Sequence, residues 1–188
     1  MKALRPFIPS LAAMLLASGG GASAQSVLIE KSEIRFCSKQ KRSNVDGRFR
    51  KWKANVDFRP KQLAKSKAEF EIELASIDLG SEDLENEIKR PVWFDTEQFP
   101  IARFTSTAMK AVGADRYEIS GQLSLKGITR GVVVPVALQK DLAGNSIAEG
   151  QFTLNRSDFQ LGDGPWVGGD MVAGDVAVRI RMVLPSLT

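Results

Sequence analysis

The sequence predicts an all-β domain: about eight short antiparallel strands, forming a sandwich or a closed barrel, with one short helix. Three observations carry this. Apolar and polar residues alternate in run after run, the period of half-buried strands. Turn residues separate the runs, at Gly113-Ala-Asp115, Lys126-Gly127 and Leu142-Ala-Gly-Asn145. Helical spacing appears in one short stretch, where Leu84 and Ile88 lie four apart among charges.

Along the chain, residues 1–24 read as a secretory signal. Lys2 and Arg5 precede the apolar run Leu11 to Ala17, and Ala22-Ser23-Ala24 fits a cleavage site that leaves Gln25 first. The run is too short for a bilayer, which takes roughly 20 apolar residues. Residues 25–188 then form a single domain, exported and soluble, with the periplasm as the expected compartment. Its strands follow in order. Ile34 and Phe36 alternate with Glu33 and Arg35; Val45, Gly47 and Phe49 with Asp46, Arg48 and Arg50; Phe70, Ile72 and Leu74 with three glutamates. The helix covers Ser81 to Lys89, with Ser81 as N-cap and Pro91 as its stop. Alternation resumes in Tyr117–Leu125, Val132–Leu138, Ile147–Leu154 and Val176–Met182. Phe159 to Gly169 is too glycine-rich for a strand and reads as an irregular loop.

Composition narrows the chemistry. There is no histidine and one cysteine, Cys37. Ser-His and Cys-His nucleophile pairs and an intrachain disulfide are therefore excluded, and a zinc site would have to draw its four ligands from one cysteine and carboxylates. The net charge of +4 falls once the signal removes two of the 26 basic residues. That balance gives no argument for nucleic acid. The carboxylate pairs Asp95/Glu97 and Asp158/Asp163 invite an acid–base reading, but turn formation explains them as well. Asp163 and Asp170 fit no calcium loop, and Asn155-Arg-Ser157 is a formal glycosylation sequon only. Lys39 to Lys53 forms a basic hairpin, either a solvated outer face or a docking patch for anionic headgroups or an acidic partner. The stretch VWFDTEQFPIARFTST, residues 92–107, gathers Trp93, Phe94 and Phe99. These rings either pack a corner or line the entrance of a barrel wide enough for one small ligand.

Eight blocks in order resemble the YceI family of periplasmic polyisoprenoid-binding proteins. They are Lys31–Phe36, Val45–Phe49, Ala75–Gly80, Trp93–Pro100, Phe104–Ser106, Gly121–Arg130, Asn155–Phe159 and Gly174–Ile180. The resemblance implies a lipocalin-like antiparallel barrel with an apolar interior tunnel. It implies binding of a polyisoprenoid or an isoprenoid quinone such as ubiquinone, and no catalysis. Where many members carry an Arg-Asp pair and a His, this chain has Leu84-Glu85 and Glu87; where they carry Lys-His it has Lys39-Gln40. It is thus similar to the histidine-free branch, some of whose members are associated with membrane cytochromes of the b561 type. The expected tunnel lining is Ile34, Phe36, Phe49, Phe70, Ile72, Trp93, Phe94, Phe99, Phe104, Leu123, Val134 and Phe152. No metal or resident cofactor is expected, and the chain is expected as a monomer or homodimer. The readings are a lipid carrier, an accessory module docking on a membrane redox protein, or a carboxylate hydrolase.

Overall fold

The structure, a computed structural model, describes residues 25–39, 44–162 and 173–186. The signal segment, Gln40, Asp163, Asp170 and most of the glycine-rich loop lie outside the described residues. Ten strands and one helix follow in order: β1 (Glu33–Lys39), β2 (Asn44–Phe49), β3 (Trp52–Asp57), β4 (Lys67–Glu73), β5 (Ile77–Asp78), α1 (Glu82–Ile88), β6 (Ile101–Gly113), β7 (Arg116–Leu125), β8 (Ile128–Lys140), β9 (Ser146–Asn155) and β10 (Asp175–Leu184). All pair antiparallel in one curled sheet, ordered β3-β4-β6-β7-β8-β9-β10-β1-β2-β5.

The count of ten against an expected eight has a simple origin. β2 and β3 are halves of one strand bent at Arg50-Lys51, and β4 and β5 are halves of another bent at the 3-10 turn Leu74–Ser76. Arg48 and Phe49 pair with Asp78 and Ile77 on one side of the bend, and Trp52 pairs with Ile72 on the other. Between them, Arg50 N–H donates to Ser76 O and Glu73 N–H to Lys51 O, each at 3.0 Å. The two ends of the sheet order are therefore joined at this corner, and the wall returns to itself. Ser76 secures the bend: its hydroxyl accepts from Lys51 N–H at 3.0 Å and donates to Glu73 O at 2.6 Å.

β6 was not marked by alternation. Its inward residues Ala102 and Ser106 are small, and a register shift between Ser106 and Ala108 moves the inward phase from Phe104 to Met109. α1 lies where the spacing placed it, but the capping differs. Ser81 occupies the N-cap position without a side-chain bond. Glu85 instead accepts from Leu79 N–H at 3.0 Å and fixes the entering chain.

The outer wall is mostly a pattern of opposite charges across strands. Arg103 bonds Glu71 at 3.0 Å and Lys110 reaches Glu118 at 2.7 Å. At the bent corner Asp78 receives Arg50 and Arg48, each at 2.9 Å. Arg50 first, then Arg48, holds its carboxyl down to about 2. A depressed folded value means stabilisation present above the ordinary carboxylate range, near 4, and lost as pH falls through about 2. Denaturation of the wild type and Asp78→Asn across pH is expected to show a gap that narrows over that window. A gap unchanged at the lowest pH would mean that the carboxylate charge is not what matters.

Candidate functional site

The curled sheet encloses a cavity of ≈ 410 Å³, within the range of ligand pockets. Its wall follows from the period of two. Every second residue of β7, β8, β9 and β10 points inward, giving Tyr117, Ile119 and Leu123; Val134, Val136 and Leu138; Ala148, Gly150, Phe152 and Leu154; Val176, Val178, Ile180 and Met182. Much of the interior is hollow rather than filled. Phe36, Phe70, Phe104 and Phe152 are only half-buried although all face inward.

Eleven of the twelve residues expected in the lining are there: Ile34, Phe36, Phe49, Phe70, Ile72, Trp93, Phe94, Phe104, Leu123, Val134 and Phe152. Two aromatic groups ring the space. Phe36, Phe49 and Phe94 follow one another at centroid distances of 5.6 and 6.4 Å, and Phe70 faces Phe104 at 6.2 Å. Room for two of these rings comes from glycine: a Cβ at Gly47 would strike the Phe36 ring, and one at Gly121 the Phe104 ring.

Phe99 is the exception. Asp95 adopts φ 50, and its carbonyl accepts Phe99 N–H at 2.7 Å, closing a tight turn. The Phe99 ring then lies against Gly127 in the β7–β8 turn, outside the cavity. The same turn accounts for Asp95: its backbone shapes the corner, and neither Asp95 nor Glu97 lines the cavity.

The two ends of the cavity differ. At the α1 end Leu84 lines the space yet is 48% exposed, marking an opening beside the helix. At the opposite end Val56, Phe58, Ala68, Met109 and Leu184 are all buried in one cluster.

Sequence reasoning missed the support behind Trp93. Arg156, 6% exposed, donates from Nη1 to Leu161 O at 2.6 Å and Gly162 O at 3.3 Å, and its Cζ stands 5.9 Å from the centre of the Trp93 ring. Gly162 N–H donates to Val92 O at 2.7 Å. Phe159, 1% exposed, fills the space beneath. The loop expected from the sequence begins only at Phe159, and Arg156 ahead of it stands in the formal sequon, where one arginine carries no periodic signal for the 3-10 segment Arg156–Phe159.

Charge at the cavity is sparse and engaged. Arg35 bonds Glu33 at 2.8 Å, Glu87 accepts Arg90 at 2.9 Å, and the Arg156 guanidinium serves the carbonyls. Two neutral polar atoms in the wall, Trp93 Nε1 and Ser38 Oγ, are buried without a hydrogen-bond partner among the described residues. Such a wall binds by removing methylenes from water, about 0.8 kcal/mol each.

Comparisons with known proteins agree with this geometry. The family model described as "YceI-like domain" matches residues 26–184. A UPF0312 protein of Pseudomonas syringae pv. tomato is 28% identical over 166 residues, covering 83% of this chain and 86% of that protein. Protein YceI of Salmonella arizonae is 25% identical over 177 residues, covering 92% and 81%. Among solved structures, BcnA of Burkholderia cenocepacia superimposes with a TM-score of 0.80 at 32% identity, covering 84% of this chain and 99% of that one. A polyisoprenoid-binding domain from Saccharophagus degradans, implicated in plant cell wall breakdown, gives 0.69 at 17% identity, covering 87% and 99%, a likeness of fold.

Proposed function

The chain belongs to the YceI-like family, and from that premise we propose that it is a carrier of an isoprenoid lipid, its tail held in the barrel cavity. The observation that carries this is the lining: among the described residues, forty positions surround ≈ 410 Å³, nearly all of them apolar. A polyisoprenoid is the ligand class named for the Saccharophagus degradans domain of the same fold. The tail is apolar along its whole length, as the wall is, so every buried methylene adds affinity without chemistry.

The headgroup that fits best is neutral, as in a ubiquinone or a prenyl alcohol. No lining cation among the described residues is left to neutralise a diphosphate, since Arg35 and Arg156 are engaged. The acidic helix α1, with Glu82, Asp83, Glu85 and Glu87, stands at the opening. Burying an unmatched dianion there would be costly. The periplasm, reached through the signal at residues 1–24, is the compartment proposed for this work.

A second reading makes the barrel an accessory module for a membrane cytochrome of the b561 type. One observation favours a docking role: Arg48, Arg35 and Arg179 stand side by side on β2, β1 and β10. Asp78 holds Arg48 and Glu33 holds Arg35, so the row is compensated in part, and its remaining positive surface suits an acidic partner.

Extraction of the exported protein followed by mass spectrometry of bound lipid tests the carrier reading. An isoprenoid with a neutral headgroup is the expected finding. A protein that is empty and takes up neither ubiquinone nor prenyl alcohols would overturn it, and preferential uptake of prenyl diphosphates would overturn the headgroup assignment alone.

A further inference from the structure

We propose that the Phe58–Tyr117 pair, backed by Met109, is the floor of the cavity and sets the longest isoprenoid tail the barrel accepts. This rests on the carrier reading and adds to it the residues that select the ligand. The two rings meet edge to face, with centroids 5.0 Å apart at an interplanar angle of 84°. Both line the cavity at the end away from α1, and Phe58 and Met109 are buried there with Val56 and Leu184. The opening marked by half-exposed Leu84 is at the other end, so a tail entering beside α1 runs toward these rings.

The floor is fixed in place. Gln25 binds the backbone of Phe58 from both sides: its Nε2 donates to Phe58 O at 2.9 Å, and its Oε1 accepts Phe58 N–H at 3.3 Å. Gln25 N–H also donates to Val56 O at 2.7 Å. The side walls are equally unable to retreat, because a strand that moved outward would break its ladder on two sides. Along the axis, therefore, tail length is limited by these side chains and not by wall flexibility. A tail longer than the cavity leaves its excess at the opening, in water, where it adds no affinity; a unit that newly fits leaves water and adds affinity.

The test is a ladder of prenyl alcohols rising from farnesol through geranylgeraniol to solanesol, with binding measured by competition against a fluorescent lipid. Wild-type affinity is expected to climb and then stop rising at one length. In Tyr117→Ala that length moves to a longer alcohol, and the first alcohol beyond the wild-type limit gains on the order of tenfold relative to farnesol. Met109→Phe moves the limit the other way. The opposed pair guards against misfolding, since Met109→Ala, a smaller change, moves the limit in the same sense as Tyr117→Ala. A limit unmoved in all folded variants overturns the floor assignment while leaving the carrier reading intact. If wild type binds no member of the ladder, the floor assignment fails, and the carrier reading fails with it when ubiquinone is refused as well.

Discussion

Val134→Trp is expected to lower uptake of prenyl chains by about 100-fold or more while leaving the fold in place. Val134 is buried on the inner face of β8, opposite Ile119 of β7, and lines the cavity between its two ends. Enlarging a side chain inside a packed core strains it by about 1–3 kcal/mol. Here the indole enters a space of ≈ 410 Å³ instead, and it occupies the volume that the tail would use. Its neighbour supplies the control. Val133 is 52% exposed on the outer face of the same strand, so Val133→Trp adds the same ring without reaching the cavity. Uptake measured by tryptophan-independent competition, with circular dichroism of both variants, separates the cases. Equal uptake by Val134→Trp and wild type would show that the tail does not lie in this cavity.

The second large effect is on stability. Arg156→Met is expected to cost about 3–5 kcal/mol, because two carbonyls, Leu161 O and Gly162 O, lose a buried donor and the Trp93 ring loses its cation. For a domain of this size each kcal/mol lowers the melting temperature by about 2–4 °C, so a fall near 10 °C is expected. Arg156→Lys should recover little, since an ammonium has neither the planar fork nor the reach to serve both carbonyls. Thermal unfolding of the three proteins measures this. A melting temperature for Arg156→Met within a degree or two of wild type would mean that the guanidinium is not the clasp.

Alternation in the sequence was enough to place most of the wall. Where one inward residue follows another at a spacing of two, as in Tyr117 and Ile119 or Val176, Val178 and Ile180, the face can be assigned without coordinates. It failed where the backbone breaks period. The bulge in β6 hid Met109, the turn at Asp95 carried Phe99 away from the cavity, and the bends at Lys51 and Ser76 turned two strands into four. Arg156 was illegible for another reason. A buried arginine is recognised by the carbonyls it serves, and Leu161 O and Gly162 O are brought to it only by the fold. The opening beside α1 was likewise beyond reach of pattern, because Leu84 reads equally as a helix anchor and as a rim.

The hollow interior has a mechanical consequence. A protein packed to its centre responds weakly to hydrostatic pressure, whereas unfolding a barrel that encloses ≈ 410 Å³ eliminates that void and reduces the volume of the system. Compression therefore works against the empty barrel more than against a filled one. An occupant that fills the space removes part of that volume change, so the loaded protein is both the more stable and the less compressible form. On the proposed carrier reading, cargo and scaffold share one elastic property: the lipid would complete a core that the chain leaves unfinished.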